Sequence, residues 1–279
     1  MAAPSKLARL RSRGAPPPEG DGERSYFKDT RELVTSALLV LPLFFAYQIG
    51  VLVFTGAQNG VDFMTGALFR AIGWVLLQLG TPDASGHVVV TPPEVYRVYV
   101  GVNVALLVIL AVVVVLLRRR GHLRLRLWPL VIAESSVYAV LFSGAVFTMM
   151  HALGLDRLLL VPSLAAAGEP TGMTALVASI GAGLHEELVF RLLLMGGLHA
   201  ALTRFAKLPP LVAAILAVLA SSALFSAVHY LGPAGDPFTM ASFLYRLFAG
   251  VLLAIIFHVR GFAVAAYTHA IYDVLVLVF

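Results

Sequence analysis

Gly183-Leu184-His185-Glu186-Glu187-Leu188-Val189-Phe190-Arg191 sets two adjacent carboxylates and an arginine inside an apolar run long enough to cross a bilayer. Charged groups are costly at membrane depth and tend to face a bundle interior or a watery cavity, so each marks a candidate functional site. Two later apolar runs carry polar pairs at helical spacing, Phe225-xxx-His229 and His269-xxx-Asp273. Together the three runs point to a polar reaction centre assembled within the membrane.

The chain around these segments supports that setting. Of its 279 residues 59% are hydrophobic and 13% charged, and the mean hydropathy is +0.90, which places it among polytopic membrane proteins rather than soluble ones. There are no cysteines, so disulfides, thiol nucleophiles and Cys-ligated zinc are excluded. The net charge of +5 comes from arginines flanking the apolar runs, which fits membrane orientation and not nucleic-acid binding.

Residues 1–32 contain Pro16-Pro17-Pro18 and charges of both signs, a composition that reads as a disordered polar tail. No apolar core of a cleavable signal precedes the first span, near 33–55, which serves as an uncleaved insertion signal. Further spans are expected near 97–117, 128–150, 173–200, 208–230, 238–258 and 261–279. The weaker 62–80 segment, with Arg70 in its middle, reads as an amphipathic or re-entrant helix on the outer interface. The fold class is thus all-α, a transmembrane helical bundle of about seven spans plus that helix, occupying 33–279. Basic residues from Lys6 to Arg31 and from Arg118 to Arg126 place the N-terminus and the second loop in the cytoplasm, and a cell membrane is the expected location.

On an α-helix Glu187 and Arg191 lie one turn apart and pair, whereas Glu186 is rotated by about 100° and points elsewhere, available as a general base or acid. Phe225 and His229 share a face, so the phenyl ring can wall off or orient the imidazole. Asp273 is one turn from His269 and can fix its orientation, or both can approach one bound atom. Taken singly, each pair has a plain alternative: a polar knot between helices, an interfacial histidine, a buried His–Asp hydrogen bond. His185, Glu134, Arg246 and His258 have no motif partner and read as structural or cavity-lining. No GxxxxGK[ST], GxSxG or HExxH pattern is present, which removes support for P-loop ATP hydrolysis and serine-esterase chemistry.

Glu186-Glu187-xxx-Arg191, Phe225-xxx-His229 and His269-xxx-Asp273, in this order on three helices, resemble the motif set of the CAAX protease and bacteriocin-processing (CPBP, or Abi) family of intramembrane endopeptidases, over about residues 173–279. The resemblance implies that Glu186 activates water with the aid of His229, that Glu187 and Arg191 support their helix, that His269 and Asp273 stabilise the oxyanion or orient the group that does, and that Phe225 adjoins the substrate. It further implies a membrane-associated polypeptide as substrate and the lipid bilayer as setting. Members that process prenylated proteins typically carry Asn where Asp273 stands, while the wider family accepts either. The family has been described both as metallo-endopeptidases and as glutamate-dependent proteases. The favoured reading requires no cofactor; the alternative is one divalent metal, such as zinc, held by Glu186, His229, His269 and Asp273. Outside the protease class, the same buried groups would suit a proton- or ion-coupled transporter, or belong to a catalytically silent membrane scaffold.

Overall fold

The protein is represented by a computed structural model that describes residues 26–54, 62–83, 85–119, 125–155, 172–231 and 235–278. Among these residues every regular element is helical, as the composition and run lengths require. The N-terminal part comprises α1 (Tyr26–Arg31), α2 (Leu33–Val53), α3 (Phe63–Leu79) and α4 (Pro92–Arg119). A short 3-10 turn (Leu125–Leu127) leads into α5 (Trp128–Ala152). The carboxy-terminal part comprises α6 (Gly172–Gly181), a π-helical stretch π1 (Ala182–Met195), α7 (Gly196–Arg204), α8 (Pro210–Val228), α9 (Met240–Arg260) and α10 (Phe262–Leu277).

Among the described residues five helices are long and apolar enough to cross a membrane: α2, α4 over Pro92–Leu116, α5, α8 and α9. The span expected near 173–200 is formed by α6, π1 and α7 in succession. That expected near 261–279 is the shorter α10, and the 62–80 segment is α3, apolar from Thr65 to Leu79. Much of the long helices' apolar surface faces outward, with Val108 58% and Val140 69% exposed, as a lipid solvent allows. The chain is an integral membrane protein. Tyr26–Arg31, placed by sequence in the polar tail, form a helix with Asp29 and Thr30 buried. The remainder of that tail and the Arg120–Arg124 stretch lie outside the described residues.

The centre of the bundle is α10. Every residue from Phe262 to Ala270 is buried, and the helix packs against α5, π1, α6, α9 and α2. Small side chains make this possible: Ala263, Ala265, Ala266 and Ala270 let neighbouring backbones approach closely, which is how helices associate where no hydrophobic force separates them from lipid. The polar groups of α10 find partners in surrounding helices. The Ala263 N–H donates to Ser36 Oγ at 2.7 Å, Ser135 Oγ donates to the Val264 carbonyl at 3.1 Å, and Tyr267 Oη accepts from Trp128 Nε1 at 2.6 Å. Gly261, at φ 92°, turns the chain from α9 into α10, and a Cβ there would stand 2.3 Å from the Thr30 carbonyl oxygen.

Gly183 packs directly against the backbone of α10. A Cβ at this position would lie 2.5 Å from the Ala266 carbonyl oxygen and 2.6 Å from the Ala270 backbone nitrogen. Backbone cannot move aside as a side-chain tip can, so Gly183→Ala is expected to push π1 away from α10, at about 1–3 kcal/mol for an overpacked contact. A lower melting temperature together with reduced turnover would report this shift; an unchanged melting temperature would show that the helices are not in contact there.

Candidate active site

The polar motif lies on π1. A π-helix bonds i to i+5 and is rare, appearing mostly as single turns at functional sites; here it spans Ala182–Met195 and carries His185, Glu186, Glu187 and Arg191. This corrects the regular α-helix expected from sequence. The anticipated ion pair nevertheless forms, with Arg191 Nη1 3.2 Å from Glu187 Oε1. Both side chains are buried, at 1% and 0% exposure, so neither can reach a substrate.

α10 completes the arrangement. His269 Nδ1 lies 2.8 Å from Glu187 Oε1, and because a carboxylate oxygen accepts, Nδ1 carries the proton and donates. The opposite nitrogen, Nε2, then faces Asp273 Oδ2 at 3.5 Å and Glu186 Oε2 at 3.9 Å. α8 contributes from the other side. His229, at its carboxy-terminal cap, donates Nδ1–H to the Phe225 carbonyl at 2.7 Å and directs Nε2 at Glu186 Oε2, also at 3.9 Å. Two imidazoles from different helices are therefore oriented by their Nδ1 atoms, and their Nε2 atoms flank one carboxylate oxygen.

A separation of 3.9 Å exceeds a direct hydrogen bond but suits two groups sharing one water, with each bond about 2.8 Å long. Access comes through His229 and Asp273, whose side chains are 26% and 21% exposed, while Glu186 and His269 lie deeper at 5% each. The chemistry of this donor set suits a divalent metal, yet among the described residues no three His, Cys, Asp or Glu side chains are gathered closely enough to hold one.

Phe225 packs against the His229 imidazole, as their shared helix face suggests. It is only 4% exposed, covered by the Arg191 guanidinium 4.2 Å from its ring centroid, with His229 at 5.1 Å, His269 at 5.9 Å and Phe190 at 5.5 Å. The ring is a buried floor on which the arginine and both imidazoles rest.

Other partners escaped the sequence reading. His185 donates Nδ1–H to the Gly181 carbonyl at 3.0 Å, points Nε2 at Asp62 Oδ1 3.5 Å away and packs edge-on against Tyr47. Tyr47 in turn donates to Asp62 Oδ2 at 2.8 Å, while Asp62 Oδ1 caps α3 through the Thr65 N–H at 2.9 Å. This network ties α2 and the start of α3 to the residue preceding Glu186. Glu134 pairs with Arg260 and Arg246 with Asp236, so both have partners that their local sequence does not announce. Each contact joins residues of different elements; the signal available was only that buried charges require partners.

The chain matches the Rce1-like family, described as type II CAAX prenyl endopeptidase Rce1-like, over residues 168–275. That range covers π1, α8, α9 and nearly all of α10. Residues 168–275 are thus similar to the Rce1-like family. No curated protein and no solved structure matches the chain. The family match agrees with the resemblance carried by the three motifs and includes all seven motif residues.

Proposed function

We propose that the protein is an intramembrane endopeptidase that hydrolyses a peptide bond in a membrane-associated polypeptide, with Glu186 as the general base. The observation that carries this reading is the placement of Glu186 Oε2 at 3.9 Å from both His229 Nε2 and His269 Nε2. A water held between Glu186 and His229 gives its proton to the carboxylate as its oxygen attacks the scissile carbonyl. The developing oxyanion accepts from His269 Nε2–H in the doubly protonated ring, whose Nδ1–H is held by Glu187 and whose Nε2–H is steadied by Asp273. Glu186 then returns the proton to the leaving amine. Glu187 and Arg191 act through His269 and the backbone of π1 and are positioning residues.

The substrate class is tested with bilayer-tethered peptides, prenylated and unprenylated, incubated with purified protein in vesicles. Cleavage of both sets would identify a protease without prenyl selectivity. Cleavage of the prenylated set alone would make the protein a CAAX processor despite Asp273. No cleavage of either, with ion-gradient coupling in the same vesicles, would reject the proposal in favour of a transporter.

Asp273→Asn is expected to keep substantial activity, because an amide oxygen can still orient His269 and its N–H can donate to an oxyanion. His269→Ala is expected to be nearly inactive. A stoichiometric metal in active protein, lost together with activity in Asp273→Asn, would replace water activation by Glu186 with a metal-held water while leaving the protease assignment intact.

The proposed orientation has the N-terminus in the cytoplasm of a cell-membrane protein. His229 follows α8 at the end that joins α9, opposite the end carrying Arg204 and Arg260, so in this orientation the site opens away from the cytoplasm. Because the chain has no cysteine, single cysteines replacing the exposed Phe205 and Leu231 should label from opposite sides, Phe205 from the cytoplasm. Labelling from one side would remove this topology.

A further inference from the structure

A second polar cluster lies at the opposite end of the bundle from His229. A cavity of about 650 Å³ is lined by Phe27, Lys28, Arg31, Tyr138, Val259 and Arg260. A smaller one of about 200 Å³ shares Arg31 and continues to His258 and Gly261. They occupy the place where α1 meets the first residue of α2, the last of α9 and the first of α10, the level at which apolar spans reach the membrane–water interface. His269 is eight residues beyond Gly261, about 12 Å along α10, and no catalytic side chain lines either cavity.

Arg260 is the built element of this site. It is 4% exposed and donates Nε and Nη2 to the two oxygens of Glu134, at 2.5 and 2.8 Å. Glu134 also accepts from Tyr26 and Tyr138, so its carboxylate is saturated. The remaining arginine nitrogen, Nη1, is buried and has no hydrogen-bond partner among the described residues. A buried donor left without an acceptor is costly. Phe27 covers the guanidinium with its ring centroid 4.2 Å from Cζ but is itself 59% exposed, so it can swing outward and uncover Nη1. Asp29, the acid of the same helix, is turned inward at 2% exposure, and Arg260 is paired with Glu134, so Lys28 and Arg31 are the exposed charges of the lining.

We propose that this cavity binds the phosphate headgroup of an anionic glycerophospholipid. A phosphodiester offers several oxygens to several N–H donors at once, which is the chemistry that arginine and lysine clusters recognise. A lipid is favoured over a free phosphate by position. Leu33 and Val259, 56% and 52% exposed beside the basic residues, supply apolar flanks for acyl chains, and basic pockets between spans at an interface are where anionic headgroups are held.

The full-length protein in a non-ionic detergent is titrated with dioctanoyl phosphatidylglycerol, dioctanoyl phosphatidylcholine and inorganic phosphate while its melting temperature is recorded. Phosphatidylglycerol alone should raise the melting temperature saturably. Lys28→Gln/Arg31→Gln, which alters two exposed side chains, should melt as the wild type without lipid and need about 30-fold more phosphatidylglycerol, each basic residue being worth about fivefold. As a second measurement on the unaltered protein, native mass spectrometry from mixed lipids should retain phosphatidylglycerol over phosphatidylcholine. Equal responses to the two lipids, a rise of the same size with inorganic phosphate, no lipid retention, or an unshifted titration in the double variant would each overturn the proposal.

Discussion

Glu186→Gln is expected to reduce peptide-bond hydrolysis by about 10²- to 10⁴-fold, the contribution of a positioned general base, while leaving the protein inserted and folded. The amide keeps nearly the same volume, so the 5% exposed pocket is neither opened nor overfilled. It cannot take a proton from water, so any water between its side chain and His229 Nε2 stays poorly nucleophilic. The measurement is cleavage of a tethered peptide, with melting temperature and monodispersity recorded on the same preparation. A folded Gln variant with full activity would reject Glu186 as the base. His229 Nε2 faces the same carboxylate oxygen at 3.9 Å, so His229→Gln should also be impaired, while its loss of Nδ1–H to the Phe225 carbonyl adds an orientational defect that Glu186→Gln lacks.

Arg191→Ala is expected to give the largest loss of stability, about 3–5 kcal/mol, the range for breaking a buried pair and leaving one charge behind. Glu187 is 0% exposed and has Arg191 Nη1 at 3.2 Å. Removing the guanidinium leaves that carboxylate dependent on His269 alone and strips the cation from the face of Phe225. It also removes the donor to the Gly250 carbonyl, 3.5 Å from Nη2, which links π1 to α9. Folded yield after extraction, compared with the wild type and with Arg191→Lys, measures this effect. Lysine restores charge without the planar stacking surface, so partial recovery is expected; wild-type yield in the alanine variant would show that Glu187 does not need the pair.

Much of this organisation could be read before any coordinates. Composition and run length decide an all-helical membrane protein because a bilayer leaves backbone polar groups no partner except their own helix. The Glu186, His229 and His269 motifs are legible for a related reason: polar groups at membrane depth stand out against an apolar background. The Glu187–Arg191 pair follows from spacing within one helix, and it survives the change from α to π geometry.

What sequence could not determine are contacts between elements. Nothing local to residue 269 says that its nearest partner is Glu187 on another helix, nor that Phe225 lies beneath Arg191. The same is true of Asp62 and His185, and of Glu134 and Arg260, where each partner is distant in the chain and spacing carries no information. Gly183 packing onto the backbone of Ala266 and Ala270 brings π1 against α10, and that approach places both histidine Nε2 atoms around a single oxygen of Glu186. The residue types were set by the cost of charge in lipid; their convergence was decided by small-residue packing between helices, a property of pairs of surfaces that no single segment encodes.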